Sequence, residues 1–105
     1  MKNMFDIMKQ AQQLQSRMQD LQTELESAEV EGRAGGGLVA VTMSGKGEVK
    51  KVAIDPSLMK EEEREVLEDL VVAACADAKA KAEALAAEKM KAVTGGLPIP
   101  PGLGL

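Results

Sequence analysis

The stretch from Gly35 to Pro56, GGGLVAVTMSGKGEVKKVAIDP, is the only part of the 105-residue chain that reads as sheet. Leu38 to Met43 is rich in residues that favour an extended backbone. Ser44-Gly45-Lys46-Gly47 has the composition of a tight turn. Val49 to Ile54 is a second extended run, and Asp55-Pro56 closes it. Proline is tolerated where the first helical N–H groups lack partners, so a helix is expected to open there. A β-hairpin between two long helical segments is therefore the frame into which everything else must fit.

The first flank repeats apolar residues at steps of three and four: Met4, Ile7, Ala11, Leu14, Met18, Leu21, Leu25 and Ala28. That is a heptad pattern. Phe5 and Met8 widen it, and glutamines fill the other faces. A helix from Phe5 to Val30 would be about 39 Å long. A hairpin cannot cover that length, so the stripe calls for a second helix, from this chain or from another copy. Glu31-Gly32 is expected to end the helix, glycine being the usual residue just past a C-terminus.

The second flank carries a stripe of Val66, Leu67, Leu70, Val71, Ala74, Ala78, Leu85 and Val93, which thins into alanine after Leu70. Asp55 or Ser57 can cap this helix. Glu61, Glu62 and Glu63 suit an early turn, where negative charge is favoured. Thr94-Gly95-Gly96 is expected to stop it. Leu97 to Leu105, LPIPPGLGL, reads as an extended or flexible tail. The expected organisation is one domain over residues 1–94 and a Gly/Pro-rich tail over 95–105.

Within the hairpin, Val39, Val41 and Met43 share one face of the first strand. Leu38, Ala40 and Thr42 share the other, which is not strongly polar. Such a strand is expected to be covered on both sides. Lys50-Lys51 breaks the alternation between Val49 and Val52, and a bulge would restore it. The three glycines at 35–37 are expected to let the backbone pass close to another element.

Composition removes most catalytic chemistries. There is no histidine and a single cysteine, Cys75, so the usual acid–base switch and a disulfide framework are both absent. Cys75 lacks the cationic setting of a reactive thiol and is read as structural. Gly35-Gly36-Gly37 precedes a strand and lacks the order of a phosphate-binding loop. The glutamate run has no separated ligand partners. We expect no enzyme, no metal, no cofactor and no small-molecule substrate. No signal peptide or membrane span is read, which makes the cytoplasm the expected compartment. One aromatic residue and many alanines predict a thin core and favour an oligomer.

The net charge of −4 is unevenly spread. The hairpin segment, with Arg33, Lys46, Lys50 and Lys51 against Glu48 and Asp55, is electropositive, and both flanks are acidic overall.

Taken together, the order of these pieces closely resembles the YbaB/EbfC family of bacterial nucleoid-associated proteins. The resemblance rests on the helix ending at Glu31-Gly32, the run Gly35-Gly36-Gly37-Leu38-Val39-Ala40-Val41 and the turn at Gly45. It continues through Val52-Ala53-Ile54-Asp55-Pro56, Leu67-Glu68-Asp69-Leu70-Val71-Val72-Ala73-Ala74, and Met90 to Gly96 with Pro101-Gly102 beyond. Ala76 stands where the family usually has asparagine. The resemblance implies an α+β protomer with a long N-terminal helix, a small antiparallel sheet and a long C-terminal helix, paired as a tweezer-like homodimer. It implies binding of double-stranded DNA with limited sequence specificity, a nucleoid location, a role in nucleoid organisation and gene expression, and no catalysis.

Family resemblance maps no DNA contacts residue by residue, so the contact set is read from charge. It comprises Lys2, Lys9 and Arg17 on the first helix, Lys46, Lys50 and Lys51 on the hairpin, and Lys79, Lys81, Lys89 and Lys91 on the last helix. Leu38, Val39, Val41, Met43, Val52 and Ile54 are the expected dimerisation residues. With Phe5 as the one aromatic, double-stranded DNA is favoured over single strands, whose binders use aromatic platforms. The rival reading is a non-catalytic interaction or assembly module that uses the helices and apolar tail without nucleic acid.

Overall fold

The computed structural model of the chain describes residues 3–94. The order is α1 (Met4–Ser27), β1 (Glu29–Ala34), β2 (Val39–Ser44), β3 (Val49–Ile54), two 3-10 turns (Pro56–Leu58 and Glu61–Glu63) and α2 (Arg64–Thr94). The α+β class with a long helix at either end is as the sequence reading has it. The particle is elongated, 71 × 24 × 15 Å.

The sheet has three antiparallel strands in the order β1-β2-β3, one more than the expected hairpin. The helix does not run to Val30. It stops at Ser27, and Ala28 turns extended with its N–H still donating to the Glu24 carbonyl. Gly32, read as a helix stop, lies inside β1 opposite Val41. Glu29, Glu31 and Arg33 face outward while Val30, Gly32 and Ala34 face α2, the alternation of a half-buried strand.

Gly35, Gly36 and Gly37 all have positive φ and form the β1–β2 connection. Nothing approaches Gly36 or Gly37. Gly35 does approach α2, where an added Cβ would meet the Leu70 side chain, and the approach is tighter still at Gly32, where an added Cβ would overlap the main chain of α2 at Ala74 and Ala78.

Val39, Val41 and Met43 of β2 are buried against Ala74, Ala78 and Ala82 of α2, with Leu58 at the edge. Alanine here lets the helix sit close to the sheet. Cys75 packs half-buried beside this core. The expected bulge is present: Thr42 faces Lys51 and Met43 faces Val49, which leaves Lys50 as the extra residue. Asp55 caps the first 3-10 turn by accepting the Ser57 N–H at 2.9 Å. The helix expected from Pro56 begins only at Arg64, and Glu61 to Glu63 form the second 3-10 turn before it.

Against α1, only Leu21 and Leu25 of the heptad stripe are buried. The rest of the helix extends beyond α2. Asn3 caps it, its side chain accepting the Asp6 N–H.

Candidate nucleic-acid interface

The basic side chains fall into two groups by what surrounds them. Lys81 reaches across from α2 to β1, donating to the Glu31 carbonyl at 2.8 Å and pairing with Asp77 at 3.0 Å. Asp77 in turn accepts the main-chain N–H of Arg33 at 3.0 Å. Residues 31 and 33 present their polar groups away from β2, so Asp77 and Lys81, one helical turn apart, satisfy the outer edge of β1. Covering an exposed strand edge in this way blocks further pairing there. The bond from Arg33, then that from Lys81, hold the Asp77 carboxyl below the ordinary carboxylate range.

Lys46 and Lys89 anchor the end of α1. Lys46, in the β2–β3 turn, pairs with Glu26 at 2.8 Å, and Lys89 pairs with Glu24 at 3.4 Å. The Lys46 bond lowers the Glu26 pKa, helped slightly by the charge of Lys50. The turn itself is held by the buried Ser44, whose Oγ accepts the N–H groups of Lys46 and Glu48. Ser44 was not singled out by the sequence reading. A serine opening a Gly-Lys-Gly turn is the signal that marks it. Arg33 pairs with Glu31 and Arg64 with Glu68 on the surface.

Of the basic residues expected to meet DNA, Lys9 and Arg17 on α1, Lys50 and Lys51 on β3, and Lys79 and Lys91 on α2 form the second group. All six are exposed and make no ion pair among the described residues. They lie along both helices and the open strand rather than in one patch. Lys2 lies outside the described residues.

The expected dimerisation residues are also divided. Val39, Val41 and Met43 are filled from within the protomer by α2, and Leu38 is half-buried. Their cross-strand neighbours on β3 share that face but α2 does not reach them. Val49, Val52 and Ile54 are 53%, 43% and 37% exposed. Unlike β1, the outer edge of β3 has no strand or helix along it among the described residues. Among the described residues there is no group of side chains suited to a metal ion and no helix long and apolar enough to cross a membrane.

A model of the YbaB/EbfC DNA-binding family matches residues 1–97. The chain belongs to the YbaB/EbfC DNA-binding family. It is 61% identical over 105 residues to a nucleoid-associated protein of Nitrobacter hamburgensis, covering all of this chain and 99% of that one. It is 62% identical over 105 residues to a nucleoid-associated protein of Rhodopseudomonas palustris strain TIE-1, with the same coverage. The fold is similar to the crystal structure of an uncharacterized protein from Helicobacter pylori, with a TM-score of 0.78 at 20% identity over 90% of this chain and 100% of that one. The YbaB/EbfC arrangement thus places cations on two helices and on an open strand, with neither a metal cluster nor a histidine among them.

Proposed function

We propose that this protein binds double-stranded DNA as a homodimer, with little sequence preference, and acts at the nucleoid in its organisation and in gene expression. The observation that carries the reading is the set of six exposed, uncompensated cations on a member of a DNA-binding family. Lysine and arginine on phosphates supply affinity without reading bases. The net charge of −4 gives no global steering toward DNA, so binding is local, modest and steeply salt-dependent. A mild preference arises from DNA shape. No step of this function calls for catalysis or a cofactor.

The dimer reading rests on the contrast between the two sheet edges. Asp77 and Lys81 occupy the edge of β1, whereas the edge of β3 is open and carries an apolar strip. A second copy joined there doubles each set of cations. Residues 1–94 act as the unit that does this, with 95–105 as an appendage.

The test is a mobility shift of mixed-sequence duplex across a salt series, on protein whose mass is followed by sedimentation. A shift that fades steeply with salt, from a species of about twice 11.1 kDa, is the expected result. No shift at low salt removes DNA binding. A stoichiometric protein partner in place of DNA establishes the interaction-module reading.

A further inference from the structure

α1 is held to the rest of the fold at its C-terminal end. Lys46 and Lys89 pair with Glu26 and Glu24, and Leu21 and Leu25 are buried. Met18 is half-buried, while Leu14, Ile7 and Met4 are 39%, 57% and 77% exposed. Among the described residues, the apolar stripe is thus covered at one end and bare from Leu14 to Met4. Past its pairs with Lys46 and Lys89, α1 leaves the sheet behind, so this stripe is a separate surface from the apolar strip on β3. Charge then decides what suits it. At about 100° per residue, the charged residues between Asn3 and Asp20 fall within about 80° of one another. They are Asp6, Lys9, Arg17 and Asp20. They occupy the face of α1 turned from the stripe, and their charges cancel. An anionic membrane surface draws on a surplus of lysine and arginine, which this face lacks. The residues bordering the bare stripe, Met8 and Gln10, are uncharged. Such a stripe meets its own copy without like charges facing each other across the seam.

We infer that the Met4–Leu14 stripe pairs antiparallel with the same stripe of a second copy, and that this contact joins one dimer to another. The inference takes the homodimer proposed above as its starting unit. Antiparallel pairing keeps the two sheets at opposite ends, whereas a parallel pair would crowd them together. Overlap of the bare length alone sets Met4 against Leu14, and Ile7 against Ala11, of the other copy. The two Met8 side chains then flank one side of the seam and the two Gln10 side chains the other. Met4 to Leu14 is about 15 Å of helix, so the contact is small and of the transient class. Dimers gathered on one duplex meet at a far higher effective concentration, which raises its occupancy. A chain with self-contacts on two separate surfaces extends from dimer to dimer instead of closing at two. The function this adds is the linking of DNA-bound dimers to one another.

The experiment is sedimentation of the full chain at concentrations up to about 1 mM, the effective concentration that a short linkage provides. Wild type should rise from about twice to about four times 11.1 kDa or above. The double variant Ile7→Glu, Leu14→Glu puts like charges across the seam, on side chains that are exposed in the protomer. It should keep its helical content and stay at twice the chain mass at every concentration. Wild type that stays at two chains overturns the inference and leaves the dimer standing. A variant reduced to single chains makes α1 the dimer contact and overturns it. Growth past two chains in both proteins places the contact elsewhere and overturns it. Wild type that is a single chain throughout removes the dimer as well. Binding of phosphatidylglycerol vesicles by wild type and not by the variant, without growth past two chains, assigns the stripe to a membrane instead. In a mixture of isotope-labelled and unlabelled copies, methyl contacts between chains should join Ile7 to Ala11 and Met4 to Leu14. Contacts of Ile7 with Ile7 would make the pair parallel and overturn the arrangement.

Discussion

The Asp77 carboxylate of α2 accepts the main-chain N–H of Arg33 in β1 at 3.0 Å, and so ties the long helix to the edge of the sheet. With Lys81 on the Glu31 carbonyl, it makes β1 a closed edge and leaves β3 as the open one. Replacing Asp77 by alanine removes the acceptor and the Lys81 pairing together. Asparagine keeps an acceptor oxygen and loses only the charge. The urea midpoint should fall for Asp77→Ala, with Asp77→Asn between it and wild type. An asparagine variant as weak as the alanine one would mean that charge, not the strand N–H, is what matters.

The same bond sets a pH dependence. The Arg33 N–H and the Lys81 ammonium lower the Asp77 pKa in the folded protein, below the value of about 3.9 of an unfolded chain. The unfolded state therefore takes up the proton first. The stabilising contribution is complete above the unfolded value and is lost as pH falls through the folded one. The Arg33 amide proton shift, followed by NMR, should move with a midpoint below 3.9 and stay flat from pH 5 to 8. A midpoint at or above the ordinary carboxylate value would remove Asp77 as the acceptor in solution.

Two glycines separate packing from backbone strain. At Gly32 an added methyl group would overlap the α2 main chain at Ala74 and Ala78, and a helix backbone cannot step aside as a side chain does. Gly32→Ala should cost more than about 3 kcal/mol, at the upper end of overpacking effects, or abolish folding. At Gly36 there is open space but φ is +70°, so Gly36→Ala should cost about 1–2 kcal/mol from conformation alone. Chemical denaturation of both variants decides the matter, and similar losses would contradict the seating of β1 on α2.

Much of this frame was legible because it depends on local pattern. The β2–β3 hairpin followed from β-rich runs around a glycine turn, the bulge from the extra lysine at Lys50, and the cap from Asp55 ahead of Pro56. β1 was missed for a physical reason. Glu29-Val30-Glu31-Gly32-Arg33-Ala34 has the alternation of a strand, but its inward residues are small and its outward ones are good helix formers, so the preceding heptad overran it. Gly32 is tertiary in origin: its need for no side chain comes from α2, more than 40 residues away, and no local window contains that. The site was legible only as an inventory of charges. Sequence lists Lys46, Lys81 and Lys89 beside Lys50, Lys79 and Lys91 without revealing that the first three are engaged by Glu26, Asp77 and Glu24.

The open β3 edge predicts how the assembly can be broken. Ile54→Lys or Val52→Lys places a charge on the apolar strip that α2 leaves bare, while the substituted side chain remains solvated in the protomer. Either variant should sediment near the single-chain mass of 11.1 kDa with its helical content retained. Met43→Ala acts beneath the same face, inside the protomer core. It should cost about 2–4 kcal/mol of stability and leave the stoichiometry unchanged. If Met43→Ala dissociates the dimer while Ile54→Lys and Val52→Lys do not, the interface lies elsewhere.

The two classes of lysine on α2 make the sharpest test of how DNA is held. Lys79 and Lys91 are exposed and make no ion pair among the described residues, whereas Lys81 and Lys89 bind Asp77 and Glu24. Double alanine variants of each class remove the same two charges from the same helix, so any effect of net charge is equal in both. Each phosphate contact contributes about −0.9 to the slope of log K against log salt on duplex DNA. If Lys79 and Lys91 of both copies contact phosphates, the Lys79→Ala, Lys91→Ala dimer should show a slope shallower by roughly 3–4. The Lys81→Ala, Lys89→Ala variant should keep most of the slope and instead lose thermal stability, because it releases the edge of β1 and the end of α1. Mobility shifts across a salt series, with melting curves on the same samples, read out both quantities. Equal flattening by the two variants, or flattening by Lys81→Ala, Lys89→Ala alone, would show that pairing within the protein does not decide which lysines meet the phosphates.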